Sequence, residues 1–196
     1  MDCDSLKEII IPDSVIKVGE AAFAGCNEAS NVKLSNNLTV IEDSSFMGCN
    51  LKSIQIPNTV TKIEKDAFRS NKLREFKIPS SVTYIGASAF AFNKLKRVVI
   101  PSNVARIGAC AFWENSSLRE VTISSGVKQI GYQAFLDCKN LKQITIKGTK
   151  TKKILKEAFS GIHKKATFDV PNKLKKKYKK ILISGKNFNE KNMKIK

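Results

Sequence analysis

The stretch LREFKIPSSVTYIGASAFAFN, residues 73–93, decides the fold of this chain. Alternating apolar residues open it, a proline follows, and an Ala-Phe pair precedes its final asparagine. The same order recurs with gaps of 22 to 24 residues between the closing phenylalanines, which are Phe23, Phe46, Phe68, Phe90, Phe112, Phe135 and Phe159. A period in the twenties predicts a solenoid, because each unit is too small to bury its apolar face except against its neighbours.

Each unit opens with alternating apolar and polar residues, as around Phe76 and Ile78. This period of two, with mostly β-branched residues, predicts a strand that turns one face to the core. A proline such as Pro79 then ends the strand, and a short helical turn with a buried Phe is expected to return the chain. The predicted strands, adjacent and parallel in one sheet, are residues 6–11, 29–34, 51–56, 73–78, 95–100, 118–123 and 141–146.

A second apolar pair follows the proline, and it consists of Val82 and Ile85 in the quoted stretch. In four units a glycine trails this pair, at Gly19, Gly86, Gly108 and Gly131. We expect the chain to turn here, with a positive φ that costs glycine little.

A small hydrogen-bonding residue stands three positions after each phenylalanine from Phe23 to Phe135, and Ile162 replaces it after Phe159. Before Ile162 only Asn or Cys occupies this column, which we call the Asn/Cys ladder: Cys3 (from an incomplete preceding unit), Cys26, Cys49, Asn71, Asn93, Asn115 and Cys138. We expect these side chains to be buried and to bond the loop backbone of neighbouring coils, since buried backbone polar groups need partners. The ladder cysteines are expected to be reduced and unreactive, and Cys110, outside the ladder, to be partly exposed.

With this column the chain resembles the leucine-rich repeats, and more closely their BspA-like branch, whose units read L-x-x-I-x-I-P-x-x-V-x-x-I-G-x-x-A-F-x-x-C. The resemblance covers about residues 3–161. It implies an α/β fold, a right-handed solenoid of parallel short strands and short helical turns closed by a strand-helix-strand C-terminal cap. It also implies a secreted or cell-surface protein. The N-terminus is polar, shows no signal peptide and enters in mid-repeat, which predicts a fragment of a longer protein.

Positive charge is concentrated at the C-terminus. The chain carries a formal charge of +18, and residues 147–196 hold 17 Lys/Arg against 3 Asp/Glu. The repeat pattern fades in the same region. We therefore assign residues 1–161 to a repeat array of about seven coils and residues 162–196 to a basic C-terminal cap.

The cap sequence predicts a strand at 166–171, a helix capped by Asn172 and stopped by Gly185, and an edge strand at 192–196. The helix has an apolar face made of Leu174, Tyr178, Ile181 and Leu182. Its other side carries a candidate anion patch made of Lys175, Lys176, Lys179 and Lys180. These lysines are either the solvated surface of a cap or a site for anionic polymers and lipid headgroups.

Two further surfaces are candidate binding sites. Cations recur at outward positions of the predicted sheet and form a basic stripe: Lys52, Arg74, Lys77, Lys96, Arg97, Arg119 and Lys142. The stripe either keeps an exposed sheet soluble or recognises an acidic partner. On the convex side, an apolar group made of Phe92, Trp113 and Leu136, the convex patch, is either a binding surface or cover for adjacent coils.

No catalytic or metal-binding pattern is present in the sequence. The single histidine, His163, lies in a basic segment, and neither a phosphate loop nor a nucleophile elbow occurs. We expect no enzyme activity and no cofactor.

Two classes of function remain open. The first, which we favour, is a non-enzymatic recognition module of a bacterial surface or secreted protein, with a protein or glycan ligand, in adhesion or host interaction. The second is a structural spacer or tether that holds a larger protein to anionic wall polymer or membrane through the basic cap. Nucleic acid is disfavoured, because Tyr178 lies on the apolar face of the cap helix and leaves no stacking platform among the charges. A monomer is expected.

Overall fold

The computed structural model describes residues 5–187, 189 and 191–196, and it is a solenoid of parallel strands. In chain order the strands are β1 (Glu8–Ile10), β2 (Asn31–Lys33), β3 (Val40–Ile41), β4 (Ser53–Gln55), β5 (Lys62–Ile63), β6 (Glu75–Lys77), β7 (Tyr84–Ile85), β8 (Arg97–Ile100), β9 (Arg106–Ile107), β10 (Glu120–Ile123), β11 (Gln129–Ile130), β12 (Gln143–Ile146), β13 (Lys153–Ile154), β14 (Thr167–Asp169) and β15 (Lys194–Ile195). A 3-10 turn, Asn172–Leu174, leads into the helix α1 (Lys175–Ser184).

The principal sheet contains the predicted strands, each shorter than predicted. They are β1, β2, β4, β6, β8, β10 and β12, with β14 and β15 added by the C-terminal segment. Every pairing among them is parallel and joins the same column of neighbouring coils, as Val98 joins Val121. The predicted parallel solenoid is therefore confirmed.

The prediction of one continuous hydrogen-bonded sheet is wrong. Among the described residues β1 pairs with β2, β4 pairs with β6, and the strands from β8 onward form a third group. Strands β6 and β8 still lie in contact. Their break coincides with Phe76, which stands where β4 and β8 carry Ile54 and Val98. A second break separates β2 from β4, where the same column holds Val32 and Ile54 and no aromatic ring.

The second apolar pairs form another sheet, which the sequence analysis did not predict. Its six two-residue strands are parallel and follow the order β13, β11, β9, β7, β5 and β3. Equivalent isoleucines stand in register, as Ile63 with Ile85. The principal sheet and this second sheet together line the core.

The Ala-Phe segments are irregular turns and not the predicted helical turns. In each one, the residue two positions before the phenylalanine has a left-handed backbone with φ between 52° and 60°, at Ala21, Ser44, Asp66, Ser88, Cys110, Gln133 and Glu157. This conformation lies outside the helical region, and the carbonyl of the same residue closes a single turn, as that of Asp66 accepts the Arg69 amide at 3.0 Å. Alternate amides then donate to the next coil, as the amide of Phe68 does to the carbonyl of Ala89 at 2.8 Å.

The closing phenylalanines form a stack along the solenoid axis. Consecutive rings have centroids 5.1 to 5.7 Å apart and planes within 17° of each other. From Phe46 to Phe159 they are at most 1% exposed. Phe23 is only half-buried, contrary to the prediction that every one is buried. Among the described residues its ring is stacked on one side only, by Phe46.

The C-terminal segment covers the last coil. Tyr178 and Leu182 of α1 are fully buried, and Leu174 and Ile181 pack partly buried against the core. Strand β15 pairs with β14, which confirms the predicted edge strand. The predicted cap at Asn172 is wrong, because this residue lies inside the 3-10 turn and no side chain caps either helix. Gly185 follows α1 as predicted, and its amide bonds the carbonyl of Ile181 at 3.1 Å.

Candidate functional site

A groove opens on the principal sheet at the break between β6 and β8. Its volume is about 920 Å³. Its apolar lining residues, which we call the floor, are Phe76, Ile78, Val99 and Pro101. Its charged lining residues, which we call the rim, are Glu75, Lys77, Lys96, Arg97, Arg119 and Glu120. We call this site the sheet-face groove.

Phe76 connects the core to the groove. Its ring is only partly buried, and its centroid lies 4.5 Å from that of Phe90 at a tilt of 31°. Phe90 is fully buried within the phenylalanine stack, so it fixes the position of the Phe76 ring. The equivalent Ile54 and Val98 are 7% and 2% exposed and offer no comparable surface.

Val99 extends this apolar floor outward. It occupies an outward position of β8 and is 53% exposed, where neighbouring strands carry Lys77 and Thr122. Phe76 and Val99 are thus a buried-side and a solvent-side residue that both line the groove.

The groove rim has an excess of unpaired positive charge. Arg97 forms an ion pair with Glu120 at 2.9 Å, with both side chains largely exposed. Lys77, Lys96 and Arg119 form no ion pair within the part of the chain that the structure describes. The remaining rim carboxylate is Glu75.

The structure places the whole basic stripe on the exposed side of the principal sheet, and it brings four of its seven members together. Lys77, Lys96, Arg97 and Arg119 line the groove, whereas Lys52, Arg74 and Lys142 lie outside its lining. Sequence analysis named the cations and placed Val99 at an outward position of the sheet, but it assigned Phe76 to the buried side and missed it as a surface residue. The available signal was the single aromatic among the Ile and Val residues of this column between β1 and β12.

The Asn/Cys ladder forms one interior row that holds the coils together. Asn71, Asn93 and Asn115 each donate to two phenylalanine carbonyls at 2.8 to 3.2 Å, and each accepts an amide at 3.0 to 3.3 Å. The thiols of Cys49 and Cys138 donate to equivalent carbonyls at 3.1 and 3.2 Å. Cys26 is buried, and Cys3 lies outside the described residues.

In the last coil Ile162 stands at the ladder position, and Asn187 of the cap bonds other backbone groups of this coil. Asn187 is 1% exposed, accepts the amide of Phe159 at 2.9 Å and donates to the carbonyl of Leu155 at 3.0 Å. Sequence analysis missed Asn187, because it follows the helix and stands outside the repeat register. The described ladder residues from Cys49 to Cys138 are therefore occupied by bonds to the backbone of the coils.

A family model named BspA type Leucine rich repeat region (6 copies) matches residues 1–119 and 113–195. This chain belongs to the BspA-type leucine-rich repeat family. Its members are bacterial surface-type repeat proteins, and leucine-rich repeat proteins are typically non-enzymatic binding modules. No curated protein matches the sequence.

Solved structures of bacterial leucine-rich repeat proteins share this BspA-type fold. The T. pallidum leucine rich repeat protein is 26% identical, with a TM-score of 0.72, over 89% of this chain and 83% of its own. A leucine-rich repeat protein from Bacteroides ovatus is 21% identical, with a TM-score of 0.57, over 97% of this chain. The chain spans 65% of the length of the B. ovatus protein. The pneumococcal vaccine antigen PcpA is 19% identical, with a TM-score of 0.50, over 97% of this chain and 67% of its own.

The convex patch of this BspA-type chain is largely self-covered. The rings of Phe92 and Trp113 lie 4.6 Å apart at 59°, and the guanidinium of Arg69 lies 5.3 Å from the centre of the Phe92 ring. The three residues of the patch, Phe92, Trp113 and Leu136, are all half-buried. Phe92 has a φ of 56°, which the equivalent Ser70 shares at 57°, so the conformation belongs to the repeat. These contacts favour the interpretation that the patch covers adjacent coils.

The anion patch lies on the exposed side of α1. Lys175, Lys176, Lys179 and Lys180 are all exposed, whereas Tyr178 and Leu182 face the solenoid. The Tyr178 hydroxyl donates to the carbonyl of Gly148, which fixes the helix on the last coils. The lysines are therefore presented outward by an anchored helix.

The single histidine, His163, lies among basic residues. Desolvation and the nearby Lys142, Lys164 and Lys165 lower the pKa of His163, and its Nδ1 accepts the amide of Lys165 at 3.1 Å. Among the described residues no group of three or more His, Cys, Asp or Glu side chains is placed to hold a metal ion. Within the same residues no helix has the length and apolar character that crossing a membrane requires.

Proposed function

We propose that this chain is a non-enzymatic recognition module that binds a protein or glycan through its principal sheet, in adhesion or host interaction. The observation that carries the proposal is the sheet-face groove, which combines an apolar floor with three cations that lack an ion-pair partner among the described residues. A concave site with a few convergent charged groups is typical of binding sites. The repeat-defining residues lie inside, so the outer side chains are free to determine the ligand.

We also propose that the protein is secreted or surface-attached and acts as a monomer. The support for the location is membership of the BspA-type family, together with the fold shared with the pneumococcal vaccine antigen. An adhesion role requires such a location, because the groove must meet its ligand outside the cell.

The second candidate function is a tether to anionic wall polymer or membrane. It is favoured by one observation, the exposed anion patch on the anchored helix α1. A patch of this kind binds by charge and is therefore released by salt, since the Debye length falls to about 3 Å at 1 M. Recognition in a groove with an apolar floor is less sensitive to salt.

A binding screen against immobilised host matrix proteins and anionic wall polymers separates the two functions. Lys96→Gln with Arg119→Gln removes two groove charges, and Lys175→Gln with Lys179→Gln removes two helix charges. We expect retention of a matrix protein or glycan that the first pair weakens and the second leaves unchanged. Retention that only the second pair abolishes, and that about 0.5 M salt releases, would establish the tether instead.

A further inference from the structure

We propose that the sheet-face groove binds an acidic linear segment of a partner protein, with one apolar side chain seated on Phe76 and Val99. The carboxylates on either side of that residue would pair with Lys77, Lys96 and Arg119. The inference rests on the proposed recognition function and names the ligand class of its site.

The apolar seat, which we define as Phe76 and Val99, is formed in the chain without a ligand. Phe76 is held from below by the buried Phe90 ring, 4.5 Å away, and does not have to be ordered on binding. Val99 stands beside it with 53% of its surface exposed. Because the seat is already ordered, binding costs little conformational entropy there. Burial of its apolar surface away from water then contributes favourable free energy.

The net positive charge of the rim favours a ligand that carries negative charge. The groove is lined by four cations and two carboxylates, and one carboxylate, Glu120, is already paired with Arg97. A ligand with carboxylates relieves the mutual repulsion of Lys77, Lys96 and Arg119. A neutral or basic ligand leaves that repulsion in place. The guanidinium of Arg119 is suited to a planar carboxylate in particular.

The shape and the floor favour a peptide over a glycan. A volume of about 920 Å³ holds several residues of an extended segment. Hydroxyl-rich glycans need hydrogen-bond partners along their length, but the floor presents hydrocarbon from Phe76, Val99 and Pro101. The uncharged polar side chains at the lining are those of Asn58 and Ser80.

Two synthetic peptides and one oligosaccharide test the ligand class directly. The probes are fluorescent Asp-Asp-Phe-Asp-Asp, the same peptide with Ser in place of Phe, and a sulfated heparin oligosaccharide. Fluorescence anisotropy with the whole chain should show binding of the Phe peptide. The Ser peptide should bind about tenfold more weakly, because it lacks the apolar anchor. Equal binding of the two peptides would overturn the inference.

Matched variants locate the site. Lys96→Gln with Arg119→Gln should weaken the Phe peptide about five- to tenfold, since two charge contacts are lost. Lys52→Gln with Lys142→Gln removes the same charge from the same column outside the groove and should change affinity less than about twofold. Equal losses from the two pairs would show charge attraction without a site. Val99→Thr, the residue type of the next coil, should weaken the Phe peptide and leave the fold intact.

Phe76→Ile removes the ring and keeps the aliphatic character of the column. It should reduce the affinity for the Phe peptide about tenfold and bring it close to that of the Ser peptide. Unchanged affinity in both Phe76→Ile and Val99→Thr would overturn the proposal. Binding of the oligosaccharide with no binding of either peptide would refute the peptide class and leave the recognition function standing. That function fails separately if the groove charges affect no partner in the binding screen.

Discussion

At the residue scale, the buried side chain of Asn93 joins two neighbouring coils by hydrogen bonds. Its amide donates to Phe68 and Phe90 at 2.9 and 3.2 Å, and its oxygen accepts the Leu73 amide at 3.0 Å. Asn93→Ala should lower the free energy of unfolding by about 2–4 kcal/mol, because it leaves several buried polar groups without partners. Urea unfolding followed by the fluorescence of Trp113, the single tryptophan, measures the loss.

The matched control is Asn93→Cys, because the thiol of Cys138 fills the same column and still donates to a carbonyl at 3.2 Å. A thiol keeps a donor but cannot replace the amide oxygen as an acceptor of comparable strength. We expect a loss smaller than that of Asn93→Ala. If the alanine variant unfolded at the same urea concentration as the original chain, the ladder would not hold the coils together.

Cys110 and Cys138 should differ in reactivity. Burial raises the pKa of both thiols, that of Cys138 to about 12, but Cys110 remains partly exposed. Because the thiolate is the reactive form, iodoacetamide should modify Cys110 of the folded protein well before Cys138. Mass mapping of a labelling time course gives the order. Equal rates for the two thiols, in protein shown to be folded, would contradict the burial of the ladder.

The raised pKa of the Cys138 thiol predicts that the folded state loses stability at high pH. Its folded-state pKa of about 12 lies above the ordinary value of 9.0, so the unfolded state loses this proton first. Its contribution to stability is therefore complete below about pH 9 and declines as the pH rises toward 12. Cys138→Asn introduces a ladder residue that does not titrate. It should show a smaller decline between about pH 8.5 and 10.5, a window that spans the ordinary thiol pKa of 9.0. Identical declines would refute the assignment.

At the scale of the element, Gly108 marks how closely the coils approach. A Cβ at this position would lie 2.5 Å from the carbonyl carbon of Gly86 in the preceding coil. Gly108→Ala should therefore destabilise the protein by about 1–3 kcal/mol. Gly19→Ala is the matched control, since nothing lies within 4 Å of the added carbon there. Thermal unfolding should separate the two variants, and equal midpoints would contradict the close stacking.

The glycines also show where sequence reasoning reached its limit. We expected them to adopt a positive φ, yet Gly86 and Gly108 are required by close backbone approach, and the left-handed residues are two positions further on. That column contains Ala, Ser, Asp, Cys, Gln and Glu, and of these only Asp favours a left-handed conformation. The second sheet was missed because its strands are two residues long, too short to show a period of two.

The repeat period determined the architecture, the phenylalanine stack and the ladder, because each depends on a residue type repeated at one register position. The sheet-face groove depends on one departure from the pattern. Phe76 replaces an aliphatic residue of its column, and its partly buried ring packs on Phe90 and also lines the groove. The cations of the rim could be read from the sequence, but the apolar floor beneath them is a tertiary contact.

At the scale of the whole molecule, the C-terminal segment closes the last coil. Deletion of residues 166–196 would remove Tyr178 and Leu182 and uncover the apolar edge around Ile144 and Phe159, which are buried in the complete chain. We expect the truncated protein to aggregate, because an uncovered edge strand pairs with other chains. Analytical ultracentrifugation measures its state. If the truncated protein stayed monomeric with an unchanged melting temperature, residues 166–196 would be an appended anchor and not a cap.

The complementary variant is Lys175→Gln, Lys176→Gln, Lys179→Gln and Lys180→Gln together. It removes charge from the anion patch while keeping helix propensity nearly constant. The melting temperature should be unchanged or slightly higher, since exposed lysines contribute little and repel one another. Aggregation of this variant would indicate that the charges, and not only the apolar contacts of α1, keep the chain monomeric.

We propose that this solenoid recognises its partner through the sheet-face groove. Hydrogen–deuterium exchange, measured with and without a partner found in the binding screen, tests this recognition because it compares every coil in one experiment. We expect slower exchange of the amides in residues 75–78 and 96–101, with the exchange of α1 unchanged. Protection confined to α1 and its flanking lysines, with none at the groove, would contradict recognition by the groove and support the tether.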